Sequence, residues 1–484
     1  MQQDERNLGM LMDFYEMTMS YGYFEKHVNT DRVAFDVFFR KNPDGGGFAI
    51  FAGLEQIIDY LENIHFDESD IEYFRSLGFF SERFLHFLGK FKFTGDVYAF
   101  KEGSIMYPNE PVITIVAPLI DAQLIETAVL AMMNHQSLIA TKANRIVRAA
   151  KGRIVSDFGA RRAHNADAAV YGARASYIGG CQSTATVLAS KMFNIPVSGT
   201  MAHSWVMYHD SEYDAFKAYA ELYPDECVFL IDTYDVMNSG LPNAIKVAKE
   251  ILEPRGCRLK GVRLDSGDLA YLAKGARKIL DDADLTDCKI IASNSLDEYT
   301  IMSLLNQGGP IDVFGVGERM ITAKSDPVFG AVYKIAATER KGQWKPCIKV
   351  SESVEKITNP GLKHVYRVYS DEGKAIAELL TLAGEMPRNG EPYSYVDPEK
   401  PWRQLQFANC TFKNMQELVV ENGKRVGPSP SLEEIRRYVV DQLTNEIWEE
   451  EQRFENPHKH YLDMSLDYYG MKIKLLEEMG AKTV

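Results

Sequence analysis

From Arg153 onward, short apolar runs alternate with amphipathic ones at regular intervals. RIVSDFG, IPVSGT, VFLIDTYD, LKGVRLDSGD, CKIIASNS and IDVFGVG each read as a buried strand that ends in small or polar residues. PNAIKVAKEIL, LAYLAKGARKIL and LDEYTIMSLLNQ carry apolar residues at helical spacing and follow three of those strands. Successive βα units with strands apolar on both faces imply a parallel sheet. Six or more in a row, without the GxGxxG first turn of a dinucleotide fold, favour an α/β barrel over an open sheet.

The flanking regions have a different rhythm. DFYEMTMSYGYFEKH reads as a helix, RVAFDVFFRK as an alternating strand, and NPDGGG as the turn after it. KFTGDVYAF, EGSIMYPNEP and VITIVAP read as strands joined by turns. A helical run begins at Asp121 and continues through NRIVRAA. After residue 330, AVYKIAA, KPCIKVS and HVYRVYS are short strands in a turn-rich stretch, either a β subdomain or a return to the N-terminal region. From Ser431 the chain reads as charged helix, with EIWEEEQRFE exposed. The expected division is an N-terminal α+β domain (1–130), an α/β barrel (131–340), and a β-rich return segment with a charged helical C-terminal region (341–484).

Composition narrows the function classes. The 484 residues are 45% hydrophobic and 25% charged, ordinary for a globular chain with a sizeable core. A net charge of −14 argues against a protein devoted to a nucleic-acid backbone or an anionic membrane. It still allows a local basic cluster to hold a small anion. No stretch approaches the ~20 apolar residues of a transmembrane helix. The start, MQQDERNLGM, lacks the basic-then-apolar character of a secretory signal. The six cysteines stand apart with no CxxC, so they read as reduced thiols. The plain expectation is a soluble cytoplasmic protein.

In a βα barrel the loops after the strands share one face, and reactive groups gather there. Here those loops carry Asp157-Phe158-Gly159-Ala160-Arg161-Arg162, Thr200, His203, Asp232, Arg263 with Asp265-Ser266-Gly267-Asp268, Ser293-Asn294, and Gly315-Val316-Gly317. Arg161, Arg162 and Arg263 offer guanidinium forks for an anion. GVG and SNS offer backbone N–H groups where helices are expected to start, a favourable place for phosphate. Any one of these features alone reads as a structural ion pair or a turn. Asp232 and Asp265 are candidate Mg²⁺ ligands, holding the ion together with substrate phosphates. DSGD is also a capping sequence, which suits Ser266 or Asp268. Asp265 precedes the cap and is the better ligand candidate.

His203 follows SGT at an expected helix start. A helix N-terminus keeps imidazole neutral, hence nucleophilic, and would stabilise a phosphoryl group attached to it. The position suits a phosphoryl acceptor. His458-Lys459-His460 reads as a solvated helix face rather than a metal pair, because no third ligand is in view.

MDFYEMTMSYGYF, FFRKNPDGGGFAIFAGLEQ, EGSIMYPNEPVITIVAP, QLIETAVLAMMNHQSLIATKANRI, DFGARRAH, SGTMAHSW, GLPNAIKV, GVRLDSGDL and FGVGERM together span nearly the full chain. On these motifs the sequence resembles the nicotinate phosphoribosyltransferase family of type II phosphoribosyltransferases. The resemblance implies attack of nicotinate on C1′ of 5-phosphoribosyl-1-pyrophosphate, giving nicotinate mononucleotide and pyrophosphate, the entry to NAD salvage from nicotinate. It implies ATP hydrolysis coupled through a phosphohistidine, with Mg²⁺ or Mn²⁺. The implied fold is an irregular, incomplete α/β barrel beside an N-terminal α+β domain, with a C-terminal extension. The implied assembly is a homodimer with the site near the subunit interface.

Carried over by motif, Tyr15 contacts nicotinate, Phe158 stacks on the pyridine, and Arg161 anchors its acid. Thr200 lies beside the substrate, and His203 is the phosphorylated residue. Arg263 and Asp265 hold the phosphoribosyl diphosphate and its metal. Ser293, Asn294, Gly315 and Gly317 cradle phosphate and ribose. Two positions depart from the family pattern. Glu318 follows Gly317 where relatives often carry threonine, which shifts that contact toward Arg319 or Thr322. Gln182 stands where relatives often carry aspartate. Two alternatives remain open: a nicotinamide-specific enzyme, against which Arg161 and Arg162 argue, and a noncatalytic sugar-phosphate sensor.

Overall fold

Strands β1 (Ile154–Asp157), β2 (Ser183–Thr184), β3 (Val228–Leu230), β4 (Gly261–Leu264), β5 (Lys289–Ser293) and β6 (Val313–Val316) form one parallel sheet in the order β2-β1-β6-β5-β4-β3. They are seen in a computed structural model that describes residues 6–353, 356–403 and 405–480. The first five residues of the MQQDERNLGM start therefore lie outside the described residues. Strand interiors are buried almost throughout, as expected for a parallel sheet covered on both faces.

Among the described residues no ladder joins β2 to β3, so the sheet is a half-barrel by hydrogen bonding. The expected strand IPVSGT reduces to a single bridge, Thr184 with Val197. Pro196 has no N–H to extend that ladder.

The helices between these strands are set by their caps. Asp268 accepts from Tyr271 N at 3.1 Å and starts helix Leu269–Asp282, whose Leu269, Ala270, Ala273, Ala276 and Leu280 are buried. Asp297 accepts from Thr300 N at 2.8 Å and starts helix Glu298–Asn306. Each cap is worth about 1 kcal/mol. Glu298 is fully buried and accepts from Lys142 at 2.8 Å and from Arg145 at 2.9 Å. Losing one member of such a cluster would strand a buried charge. These elements belong to a compact unit, Ile139–Pro327.

The second unit holds the described residues up to Leu138 and from Val328 on. Its seven-stranded sheet runs Gln343–Pro346, Val332–Arg340, Arg32–Phe38, Ile113–Pro118, Asp96–Ala99, Glu417–Glu421, Lys424–Arg425. The chain after Val328 thus pairs with N-terminal strands. A six-stranded sheet holds Lys363–Tyr369, Ala375–Leu382 and Leu462–Ser465 among its members. Arg32–Phe38 does not alternate: every residue after Arg32 is buried. Asp36 is accommodated by an ion pair with buried Lys363 and by the Thr114 hydroxyl at 2.8 Å.

Three helical expectations are corrected. The run from Asp121 is broken into Leu119–Gln123 and Glu126–Ala149. EIWEEEQRFE is not an exposed helix: the helical run that starts at Leu432 ends at Glu446, and helix resumes only at Leu466. In a helix Glu446 would face Glu449 and Glu450 at the three- and four-residue spacings where like charges repel, and Glu451 is buried, accepting from the Tyr107 hydroxyl at 2.8 Å. His458-Lys459-His460 is not a solvated helix face. The segment is irregular, and His460 is buried, stacked 3.7 Å from Tyr107 with its Nδ1 3.0 Å from Glu451.

Candidate functional site at the strand ends

The register of the parallel sheet lines up the carboxyl ends of its strands. Asp157 pairs with Val316 and Thr184, Gly315 with Ser293, and Arg263 with Leu230 and Ile291. The polar residue that follows each apolar run is therefore delivered to one edge. That edge carries Phe158, Arg161, Arg263, Asp265, Ser293, Asn294, Gly315, Gly317 and Asp232, and the loop after Val197 adds Thr200 and His203.

Arg263 is the hub. Its guanidinium donates from Nε to Ser293 Oγ at 2.9 Å, from Nη1 to Thr200 Oγ1 at 3.0 Å, and from Nη2 to Asp265 Oδ1 at 2.9 Å. The Ser293 hydroxyl donates to the same Asp265 oxygen. Burial works against a charged carboxyl at Asp265, but the Ser293 hydroxyl and the Arg263 guanidinium outweigh it and hold the group below its usual range. His203 opens the short helix His203–Tyr208. Its Nδ1 lies 3.1 Å from Thr233 Oγ1, and its Nε2 lies 3.8 Å from Asp265 Oδ2. The second distance is too long for a hydrogen bond and short enough for a charge to be felt.

Phe158 lies under the hub, with the Arg263 guanidinium carbon 5.5 Å from its ring centre. The ring occupies the space over Gly315: a Cβ there would fall 2.5 Å from a Phe158 ring carbon. Glycine at 315 is thus demanded by the aromatic ring. Arg161 is exposed and has no hydrogen-bond partner among the described residues, so its fork is open to a ligand.

Several expectations change in detail. Ser293-Asn294-Ser295 is not a helix start. Asn294 and Ser295 adopt left-handed φ of 84° and 51°, and the helix begins only after the Asp297 cap. Gly317 does precede a helix, but one of only four residues, Glu318–Ile321. Glu318 points to Lys324 at 2.7 Å, and that pairing holds its carboxyl below the usual range. Arg319 is committed to Asp297, and the Thr322 hydroxyl donates to the Glu318 carbonyl at 2.8 Å. Gln182 closes a reciprocal pair with Val155, accepting its N–H at 2.8 Å and donating its own to the carbonyl at 2.9 Å. Tyr15 belongs to the other unit, on helix Phe14–Glu25, and is 45% exposed.

The residues available for a divalent cation are two carboxylates. Asp265 Oδ2 has no hydrogen bond among the described residues, whereas Asp232 Oδ2 accepts from Asp265 N at 2.9 Å and Ser266 Oγ at 2.6 Å. Asp232 Oδ1 is buried without a hydrogen-bond partner. Mg²⁺ needs only one or two protein carboxylates when phosphate and water complete its shell, so the donor set fits. Among the described residues no cluster of three or more metal-ligating side chains exists. Sequence reasoning passed over Thr233 and Thr184, whose hydroxyl donates to Asp157 at 2.7 Å, and read Ser266 only as a cap candidate. Thr233 carried a signal, since it follows Asp232 at the end of LIDTYD.

An open guanidinium, a guanidinium hub and a partly exposed imidazole at the carboxyl edge of a parallel sheet define an α/β enzyme built around an anionic small molecule. Comparison with known proteins sharpens this class. The sequence model described as "Nicotinate phosphoribosyltransferase (NAPRTase) family" matches residues 154–370, and the family's N- and C-terminal domain models match 10–134 and 362–472. The chain is 43% identical over 479 residues to the nicotinate phosphoribosyltransferase of Bacillus subtilis (strain 168), covering 98% of this chain and 96% of the relative. It is 31% identical to the Homo sapiens protein of the same name, with 94% of each covered. The crystal structure of human nicotinic acid phosphoribosyltransferase superposes with a TM-score of 0.85 at 28% identity, covering 96% of this chain and 99% of that one. This chain belongs to the nicotinate phosphoribosyltransferase family and is an enzyme of that type. Among the described residues no helix is long and apolar enough to cross a membrane.

Proposed function

We propose that this chain transfers the phosphoribosyl group of 5-phosphoribosyl-1-pyrophosphate to nicotinate, forming nicotinate mononucleotide and pyrophosphate in NAD salvage, with ATP hydrolysis coupled through a phosphohistidine at His203. The observation that carries the reading is the Arg263 hub, with Asp265, Ser293 and Thr200 on its three donor directions and His203 beside Asp265.

In the transfer, the pyridine nitrogen lone pair forms the new bond to C1′. The bond from C1′ to the pyrophosphate oxygen breaks, and its electron pair leaves with pyrophosphate. Positive charge grows on the ribose and negative charge on the leaving group. No general base is needed, because the nucleophile already carries its lone pair. Arg263 faces the leaving group with a fixed guanidinium, and a preorganised cation stabilises developing negative charge more than a mobile one. Phe158 supplies a flat surface for the pyridine, and Arg161 pairs with its carboxylate. Ser293, Asn294, Gly315 and Gly317 hold phosphate and ribose. When bound, Mg²⁺ or Mn²⁺ supplies further positive charge to the pyrophosphate, with Asp265 as its holder and Asp232 fixing the Asp265 loop.

A phosphoryl group on His203 would place negative charge beside Asp265 and so bear on the Arg263 hub, which is how ATP would act on substrate affinity. In this reading the half-barrel sheet is part of an irregular, incomplete α/β barrel, and the protein is a cytoplasmic homodimer in which Tyr15 serves the site. With γ-labelled ATP and Mg²⁺ the protein should take up acid-labile, base-stable label. His203→Ala should lose both the label and ATP stimulation while keeping slow ATP-independent transfer. Label on the alanine variant at the wild-type rate would place the acceptor elsewhere.

A further inference from the structure

The six-stranded sheet of the second unit carries a carboxyl on an otherwise apolar face. Asp463 lies in strand Leu462–Ser465, in register with Leu379 of strand Ala375–Leu382. Two residues further on, Ser465 pairs with Tyr395, and Tyr393 pairs with Phe407. Side chains alternate across a strand, so Asp463, Leu379, Tyr395 and Phe407 share one face. Leu379 and Phe407 belong to a buried apolar cluster there, with Tyr395 and Tyr461 packed against it. Asp463 is 4% exposed, and its carboxyl makes no hydrogen bond among the described residues. Buried polar groups are ordinarily paired, and a carboxyl left without a partner is costly. Burial, and after it the Asp397 charge, outweigh the pull of His460 and push the group up to about 7.

The carboxyl is not walled in. Asp463 borders a groove of about 470 Å³, together with Asp397, Tyr395, Tyr461 and Phe407. Tyr395 and Phe407 stack with ring centres 3.9 Å apart and planes 11° from parallel, which makes a flat, rigid wall. The Lys400 ammonium stands 5.7 Å from the Tyr461 ring centre and 3.9 Å from Asp397 Oδ2. The other Asp397 oxygen accepts from Glu399 N at 2.8 Å. Asp397 is thus served and Lys400 spent, while Asp463 keeps an open charge site. Lys400 also shows that these walls accept an ammonium group. Two carboxylates, one of them already occupied, make a poor cage for a metal ion; aromatic walls suit an organic cation. The remaining cation of the groove, Arg403, is exposed and makes no side-chain contact among the described residues.

We propose that this groove is a ligand site for a primary ammonium compound with an aromatic or apolar body, the ammonium donating to Asp463 and the body lying against Tyr395 and Tyr461. Arg403 admits a carboxylate on the same molecule, as an aromatic amino acid would present. The association is noncovalent and uses no residue of the strand-end site, so it stands or falls independently of the proposed transfer reaction.

The test uses full-length protein at pH 8, where most of Asp463 is ionised, and three probes. Benzylammonium supplies the charge, benzyl alcohol the same shape without it, and phenylalanine an added carboxylate. Titration calorimetry and ligand-observed NMR should show binding of benzylammonium and none of benzyl alcohol. Asp463→Asn, which keeps the shape, should weaken benzylammonium by about 10–100-fold, the range for a lost charge-assisted hydrogen bond. It should leave turnover unchanged and hold or raise the thermal midpoint, because it removes an unpaired buried charge. Tyr395→Leu should weaken the same probe to a smaller extent. Tighter binding of phenylalanine, with the advantage lost in Arg403→Ala, would mark an amino acid as the ligand; equal or weaker binding would mark a plain amine. Benzyl alcohol bound as well as benzylammonium, unchanged affinity in Asp463→Asn, or no binding of either charged probe overturns the proposal. A lower thermal midpoint in Asp463→Asn overturns it as well, since that would make the carboxyl a structural group.

Discussion

Arg263→Ala should weaken two things at once, and pH should tell them apart. In the native protein the guanidinium spends its three donor directions on Ser293, Thr200 and Asp265. Its side chain is 11% exposed, and that of Asp265 28%. Truncation leaves a half-buried carboxylate without its cation. Exposed pairs are worth about 0–1 kcal/mol and breaking buried ones costs about 3–5 kcal/mol, so this site should lose about 1–3 kcal/mol of stability. For a unit of this size each kcal/mol moves the thermal midpoint by about 2–4 °C. Loss of a charge-assisted contact to the diphosphate should weaken substrate binding by about 2–4 kcal/mol, roughly 30- to 1000-fold.

The stability loss should depend on pH. In the wild type Asp265 is held below its usual range, because the Ser293 hydroxyl and Arg263 outweigh burial. Its charged form therefore contributes stability above the unfolded pKa of about 3.9 and loses it as pH falls through the lower folded value. Without Arg263, burial prevails, the folded pKa rises, and ionisation becomes a cost that protonation relieves. The gap in midpoint between wild type and Arg263→Ala should be widest near neutrality and narrow as pH falls through about 4. Scanning calorimetry across that range, with titration calorimetry of 5-phosphoribosyl-1-pyrophosphate, measures both effects. A gap that stays constant or widens on acidification would refute the pairing as the source of stability. Unchanged affinity in folded variant protein would remove Arg263 from the diphosphate site.

Two other sites give sharp expectations. In Gly315→Ala the new Cβ would stand 2.5 Å from the Phe158 ring, so the ring must shift; the KM for nicotinate should rise and stability should fall by about 1–3 kcal/mol. Gly317→Ala, whose new Cβ would meet the Phe158 carbonyl oxygen at 3.2 Å, should be milder, and steady-state kinetics on both would reject the assignment if the order were reversed. For His460, burial disfavours the charged ring, but the nearby Glu378 carboxylate, 3.6 Å from Nε2, and the hydrogen bond to Glu451 prevail and raise its pKa. A raised folded pKa contributes stability fully below the unfolded value of about 6.5 and loses it as pH rises through the folded one. His460→Gln should therefore destabilise more at pH 6 than at pH 9; denaturant midpoints at the two values check this, and a larger loss at pH 9 would contradict it.

The strand ends were legible because each apolar run ends in the polar residue that the site uses, and parallel register lines up those ends. Asp268 was legible as a cap, since DSGD precedes an amphipathic run and the side chain meets Tyr271 N. Closure of the sheet was not legible, because it depends on long-range pairing that β2 and Val197 supply only as one bridge. Asp36 hid in a pattern that looked alternating, since its partner Lys363 lies far along the chain. His460 misled for the same reason: Tyr107, Glu378 and Glu451 come from separate segments, and no local spacing announces a buried histidine. Thr233 was within reach, but a lone hydroxyl beside an aspartate gains meaning only when a histidine thirty residues earlier is placed against it.

The central claim concerns which pyridine this chain joins to ribose phosphate. The most direct measurement incubates the purified full-length protein with 5-phosphoribosyl-1-pyrophosphate, Mg²⁺ and either nicotinate or nicotinamide, each with and without ATP. The mononucleotide is then identified by mass spectrometry alongside released pyrophosphate. The account predicts nicotinate mononucleotide and an equal amount of pyrophosphate, faster with ATP, and little product from nicotinamide. Preferential formation of nicotinamide mononucleotide, or no pyrophosphate from either acceptor, would contradict it.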